Sequence, residues 1–177
     1  VKDISPAPVR EYESRDTTHF SVMHAVGNAI SNTYPIGYSF GSAFVAKSTG
    51  ILFDNQLRNF YVSNGEKGLN AYAPGKRMLS TMTPTIVFDR NNKPLLVTGT
   101  PGGSRIINAV LQLLVNVIDF DMTIADATNQ PRIHQGWNSQ RFHYEPGISP
   151  DTLAILKEKG HEMRIQKSMG STQSILY

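Results

Sequence analysis

Thr17 heads an alternating run, TTHFSV, directly after Arg15-Asp16. A threonine hydroxyl is a weak nucleophile and needs a base. The base that chain position alone can supply is the residue's own α-amine, provided the bond before it is cut. The Asp16–Thr17 bond is then a candidate self-cleavage site, opened when the same hydroxyl attacks the Asp16 carbonyl in an N-to-O acyl shift. The plainer reading is that paired β-branched residues suit the start of a pleated strand.

A second stretch, TGTPGGSRII at 98 to 107, ends a strand, turns at Pro101, passes Gly102 and Gly103 and enters an apolar periodic run. A strand, glycine turn and helix start in that order point backbone N–H groups and a positive dipole end at one spot, where an anion or a developing oxyanion would sit. No Gly-Lys-Ser/Thr follows and no GxGxxG is present, so the turn has neither nucleotide-binding signature. A tight turn with close helix packing would need the same glycines. KRMLSTMTPT sets Ser80 and Thr81 side by side just before a strand, and paired hydroxyls can hold a carboxylate. FDNQLRNF sets Asp54, Asn55, Gln56 and Asn59 after another. Singly, each is ordinary turn chemistry.

The remaining titratable groups say less. His19 shares a strand face with Thr17 by period two, and packing is its expected role. His134 and His143 flank Trp137 in what reads as an irregular segment, without zinc-ligand spacing, so neither a metal nor any other cofactor is expected.

The elements that must position these residues follow from pattern. Residues 1 to 16, with Pro6 and Pro8, read as an exposed extended segment. HFSVMH and AISNTY form a hairpin about a turn at 25 to 28. Two short strands are expected around SAFVA and GILF, then a loop from Asn59 to Arg77. TPTIVFD and PLLVTGT pair around the Arg90 to Lys93 turn. From Ser104 to Ile118 the period changes: Ile106, Ile107, Val110, Leu111, Leu114, Val117 and Ile118 recur at helical spacing and predict the main buried helix. A shorter helix fits IADATNQ before Pro131. Ser149-Pro150-Asp151 starts another that runs to a Gly160 C-cap. EMRIQ and TQSIL are the last expected strands, and the apolar end at Tyr177 suggests a chain cut inside a sheet. Hairpins first and helices later give an α+β fold of antiparallel sheet with helices outside.

The 177 residues are one domain's worth of chain, 40% hydrophobic. Seventeen Lys and Arg against fourteen Asp and Glu, scattered along the sequence, do not make a nucleic-acid surface. The absence of cysteine excludes disulfides, thiolate metal sites and a thiol nucleophile. No stretch reaches the about 20 continuous apolar residues of a membrane span, and residues 1 to 16 do not resemble a signal peptide.

Taken together, TTHFSV, GILFDNQLRNF, KRMLSTMTPTIV, GTPGGSRII and MGSTQSI, in this order and spacing, closely resemble the small subunit of γ-glutamyltranspeptidases from Thr17 to Leu176. The resemblance implies a proenzyme that cuts itself before a threonine, whose two pieces stay associated in the four-layer αββα sandwich of N-terminal-nucleophile hydrolases. Residues 1 to 16 would then end the large-subunit region or form a propeptide linker, and 17 to 177 would be the small-subunit catalytic domain. Thr17 looks like the nucleophile, Thr18 a supporting neighbour, and Gly102 and Gly103 the oxyanion donors. Ser80 and Thr81 would meet the α-carboxylate of a γ-glutamyl group, with Gln56 lining the pocket. The large subunit of the same precursor would be the partner and add a substrate-gripping arginine. The implied substrate is a small γ-glutamyl amide such as glutathione, and the implied location periplasmic or secreted.

Three positions depart from the family pattern. Asn59 stands where an Asp usually holds the substrate's α-ammonium, Pro35 where a threonine hydroxyl supports the nucleophile, and Gly37 where an Asn lines the pocket. An amide supplies no countercharge, so a glutaryl or cephalosporin-type acylase using deamino acyl groups is the alternative. A further alternative is an unprocessed, inactive homologue that binds carboxylates.

Overall fold

The computed structural model describes residues 17–60, 69–137 and 139–177. The expected extended segment at 1 to 16 lies outside the described residues, as does the middle of the expected loop at 59 to 77. Strands β1 (Thr17–Met23) and β2 (Ala29–Pro35) form the expected antiparallel hairpin, with Thr17 opposite Pro35 and Met23 opposite Ala29. Gly27 turns the chain between them with φ 91°. Alternation sorts the two faces: His19 is buried, Thr17 and Ser21 are half-buried, and Thr18, Phe20 and Val22 are exposed.

SAFVA and GILF do not become strands. A single bridge joins Val45 to Leu52, and Ala43, at φ 59°, interrupts the extended run. Phe44 and Phe53 stack at 5.8 Å while remaining exposed, so these two arms bury little against anything but each other. A 3-10 turn at Gln56–Asn59 follows, which the pattern did not signal.

Strands β3 (Thr85–Phe88) and β4 (Pro94–Thr98) pair antiparallel as expected. Their turn is fixed by Asp89, whose carboxylate accepts the N–H groups of Lys93 at 2.8 Å and Asn91 at 2.9 Å. The Lys93 amide above all holds that carboxyl below its ordinary pKa. Helix α1 (Ile106–Ile118) follows the glycine turn and buries Ile106, Ala109, Val110 and Leu113. The expected apolar face is broader than the buried one, because Ile107, Leu111 and Ile118 are exposed. After α2 (Ile124–Asn129) come β5 (Ile133–Gln135) and β6 (Arg141–Tyr144), an antiparallel pair with His134 opposite His143. The two histidines therefore lie on paired strands and not in an irregular segment, the described residues around Trp137 forming the connection between the strands, and both histidine side chains are buried.

Helix α3 (Pro150–Glu158) leads to β7 (Glu162–Ile165), which runs parallel to β6. The sheet is thus not wholly antiparallel: with a helix between β6 and β7 the chain makes the crossover that parallel neighbours require. The last strand, β8 (Ile175–Leu176), pairs antiparallel with β4 and is shorter than the expected TQSIL. The residues before it stay alongside the chain that continues β4 but with sparser bonds, Gln173 N–H to the Gly99 carbonyl at 3.0 Å and the Ser174 and Thr98 hydroxyls together at 2.7 Å.

The described residues make an α+β arrangement of three small sheets, with β4 central to the core. Leu96 and Val97 are fully enclosed. Among the described residues no helix is long and apolar enough to cross a membrane. Leu96→Ala should lower unfolding free energy by about 2–5 kcal/mol through lost burial and the cavity left behind. A shift of the urea midpoint at unchanged slope would show it, and an unmoved midpoint would place the core elsewhere.

Candidate active site

Because Thr17 opens β1 opposite Pro35, the position of its hydroxyl is set by what the hairpin packs on. The inward face of the hairpin advances along β4 in step. Ser31, opposite Ser21, donates its hydroxyl to the Thr98 carbonyl at 2.7 Å. One step on, the His19 ring lies so close to Gly99 that a Cβ there would come within 2.1 Å of Cε1. Thr17 is the next inward residue in the same direction, the direction in which β4 runs on to Pro101, Gly102 and Gly103. Thr18 is exposed, opposite Tyr34 on the other face.

His19 is a packed residue held in one tautomer. Ser21 commits its single proton to the Gln173 carbonyl at 2.7 Å. The 3.2 Å contact between Ser21 Oγ and His19 Nε2 therefore needs the ring N–H as donor, and Nδ1 accepts from Thr33 Oγ1 at 2.8 Å. Burial lowers its pKa below the ordinary 6.5, which keeps the ring neutral.

The end of β2 carries the next group. Asn55 N–H donates to the Ile36 carbonyl at 2.9 Å, and Arg58 donates to the Gly37 carbonyl at 3.3 Å while its guanidinium lies 4.1 Å from the centre of the Tyr38 ring. Gly37, at φ 92°, is pressed against Asn55; an added Cβ would stand 3.1 Å from the Asn55 Cβ. These contacts tie the 3-10 turn to the strand end opposite Thr17. Within that turn Asn59 donates its amide to Gln56 Oε1 at 2.9 Å, so the two predicted pocket residues touch.

Asn70 then joins two walls. Its amide donates to the Asn59 carbonyl at 2.6 Å, and its own oxygen accepts from Leu79 N–H at 3.0 Å, one residue before Ser80. Ser80 is exposed and accepts from Met82 N–H at 3.2 Å. Thr81 donates to the Gly103 carbonyl at 2.8 Å, which fastens the hydroxyl pair to the glycine turn. In that turn Gly102 and Gly103 take φ of 142° and 58°, and the Gly102 carbonyl accepts from Arg105 N–H at 3.1 Å. Left-handed backbone at both positions explains why two glycines stand there.

The structure thus links Gln56 and Asn59 through Asn70 to Leu79, and the backbone from Leu79 through Ser80 carries the connection to Thr81 and its bond to Gly103. Asn70 and Arg58 were missed from sequence; Asn70 sits in a polar loop where no spacing distinguishes it. Among the described residues no group of three His, Asp or Glu is placed to hold a metal ion.

The family described as gamma-glutamyltranspeptidase matches residues 2–177. The chain is 45% identical over 182 residues to the glutathione hydrolase proenzyme of Escherichia coli (strain K12), covering 98% of this chain and 31% of that protein. It is 31% identical to the Acylase ACY 1 proenzyme of Pseudomonas sp. (strain V22), covering 93% of this chain and 29% of that one. Among solved structures, the Helicobacter pylori gamma-glutamyltranspeptidase T380A mutant superposes with a TM-score of 0.81 at 40% identity, covering 90% of each chain. The chain therefore spans under a third of the length of the curated relatives it matches.

The neutral, buried His19 makes stability depend on pH. The unfolded chain takes up a proton here more readily than the folded one, so stability is full above about pH 6.5 and falls as pH drops through that value. Urea midpoints should decline from about pH 7 to about pH 5, and less steeply in His19→Gln. Parallel declines in both proteins would remove His19 as the cause.

Proposed function

Since the chain belongs to the γ-glutamyltranspeptidase family, we propose that it supplies the small-subunit catalytic part of an acyltransferase and amidohydrolase acting on γ-glutamyl amides such as glutathione. Thr17 is its nucleophile. The observation that carries this reading is the Thr81–Gly103 hydrogen bond, which makes one unit of the hydroxyls suited to a carboxylate and the turn suited to an oxyanion.

The chemistry runs from Thr17 outward. Cleavage of the Asp16–Thr17 bond liberates the α-amine, which takes the hydroxyl proton as Oγ attacks the γ-acyl carbon. The carbonyl oxygen becomes an oxyanion facing the Gly102 and Gly103 N–H groups. Collapse expels the amine, which leaves with the proton, and an acyl ester remains on Thr17. Water releases the acid; a second amine accepts the acyl group as a new amide. Ser80 and Thr81 hold the substrate's α-carboxylate, Gln56 and Asn59 line the pocket, and Thr18 supports the nucleophile from the adjoining position.

On this reading residues 1 to 16 end the large-subunit region or form a propeptide linker, residues 17 to 177 are the small-subunit domain, and the protein works in the periplasm or outside the cell. The large subunit of the same precursor completes a heterodimer in a four-layer αββα sandwich. An apolar outer hairpin face, with Phe20, Val22, Ile30 and Tyr34 exposed together, supports a covering partner.

Asn59 favours a second reading in which the preferred acyl group lacks the α-amine, as in glutaryl amides. Its amide already donates to Gln56 and brings no charge to an ammonium. A third reading, an unprocessed carboxylate-binding homologue, requires the bond before Thr17 to stay intact.

Two measurements separate them. Mass spectrometry of the purified full-length protein should find a new amino terminus at Thr17, and Thr17→Ala should remain one piece and lose about 10³-fold or more in turnover. A persistent single chain in the unaltered protein would support the inert homologue. On paired γ-glutamyl and glutaryl anilides, Asn59→Asp should raise the γ-glutamyl to glutaryl ratio of kcat/KM by about 10–100-fold, the worth of one charged hydrogen bond. An unchanged ratio would disconnect Asn59 from the amine.

A further inference from the structure

The glycine turn can stabilise an oxyanion only if its N–H groups point the right way, and an isolated Pro-Gly-Gly segment has no such preference. In a trans peptide the C=O of one residue and the N–H of the next point in opposite directions. A donor that grips the carbonyl of residue i therefore aims the N–H of residue i+1. Three successive carbonyls are gripped here. Thr100 Oγ1 donates to the Pro101 carbonyl at 2.7 Å, Arg105 N–H to the Gly102 carbonyl at 3.1 Å, and Thr81 Oγ1 to the Gly103 carbonyl at 2.8 Å. The first of these sets the Pro101–Gly102 peptide and so the direction of the Gly102 N–H.

Thr100 is built for that task. It is fully enclosed, and its hydroxyl is oriented from behind because Oγ1 accepts the Ser171 N–H at 2.7 Å. With that lone pair engaged, the proton is directed onto Pro101. The MGST segment is shaped around it: Gly170 sits at φ 97°, and a Cβ there would come within 2.7 Å of Thr100 Oγ1 and 3.1 Å of the Pro101 carbonyl. The segment is itself anchored, since Met169 N–H donates to the buried Glu145 carboxylate, which also accepts Arg132 N–H at 2.9 Å. The chain of contacts runs from Glu145 through Met169, Gly170 and Ser171 to Thr100, Pro101 and Gly102.

We propose that Thr100 is a positioning residue for the oxyanion turn, its hydroxyl locking the Pro101–Gly102 peptide so that the Gly102 N–H meets the developing negative charge. It does not touch substrate; it acts through Gly102. The inference rests on the reading of Thr17 as nucleophile of an amide-cleaving enzyme.

The test uses the full-length, self-processed protein and compares Thr100→Val with Thr100→Ser on a γ-glutamyl or glutaryl anilide. Valine keeps the shape and removes the donor, so kcat should fall roughly tenfold to a hundredfold with KM within about twofold, since the charge appears only in the transition state. Serine restores the hydroxyl without the methyl, so kcat should return to within about threefold of the unaltered value even if thermal stability drops. A Val variant of undiminished kcat overturns the inference. So does a folded Ser variant that falls as far as Val, because the methyl's packing is then what matters. If the Val variant does not fold, the Ser variant decides by the same criterion. An unaltered, processed protein with no amide turnover, or an active Thr17→Ala, sinks the parent reading and this one with it. Full activity in the unaltered protein, none in Thr17→Ala and full kcat in Thr100→Val sinks the Thr100 inference alone.

Discussion

Residues 96 to 100 are buried without interruption, and a buried backbone must find partners for its polar groups within the protein. That requirement organises this chain. On one edge β3 supplies the ladder; on the other, β8 supplies it as far as Val97. Beyond Val97 the β8 pairing stops, β3 reaches one residue further to Thr98, and hydroxyls and single amides take over. Ser31 reaches the Thr98 carbonyl, Gln173 reaches the Gly99 carbonyl, and Thr100 takes the Ser171 N–H. These partners come from two distant segments, so satisfying one strand end draws the hairpin and the MGSTQ segment onto the same place. The glycine turn begins where they meet.

Small residues make the convergence possible. Gly99 leaves room for the His19 ring, and Gly170 leaves room for the Thr100 hydroxyl. With a side chain at either position the segments would have to separate, and the hydrogen bonds behind the turn would lengthen or break. The cost of so dense a polar junction is that every member needs a partner, which is why His19 is neutral and doubly bonded and why Glu145 gathers Arg132 and the Met169 amide. Held from behind by these partners, the turn has its peptide directions fixed by the fold.

The legible parts of the chain were those whose signals are local. The β1–β2 and β3–β4 hairpins and helix α1 declared themselves by alternation, by turn residues and by helical period. β5 and β6 did not. IHQ and RFHY are too short and too polar to read as strands, and they become sheet because α1 completes their surroundings. The Gln112 side chain, standing in for a neighbouring strand, donates to the Ile133 carbonyl and accepts the Ile133 N–H, each at 2.9 Å, while Asn108 meets His134 Nδ1 at 2.8 Å. SAFVA and GILF failed in the opposite sense. Their composition suits strands, but Ala43 is left-handed and Phe44 and Phe53 stay exposed, and among the described residues they form one bridge.

Residue types and their order along the chain determined the chemistry available: a threonine at a strand head, two adjacent hydroxyls, an amide pair and a proline-glycine-glycine turn before an apolar helix. They also put a neutral amide, Asn59, at the end of the stretch that carries Gln56. What the tertiary structure alone decided is which of these groups act on one another. Thr81 lies 22 residues from Gly103, Asn70 11 from Asn59, and Ser171 71 from Thr100. Hydrogen bonds across such separations depend on how sheets and turns stack, and no local periodicity encodes the angle at which a carbonyl meets a distant hydroxyl.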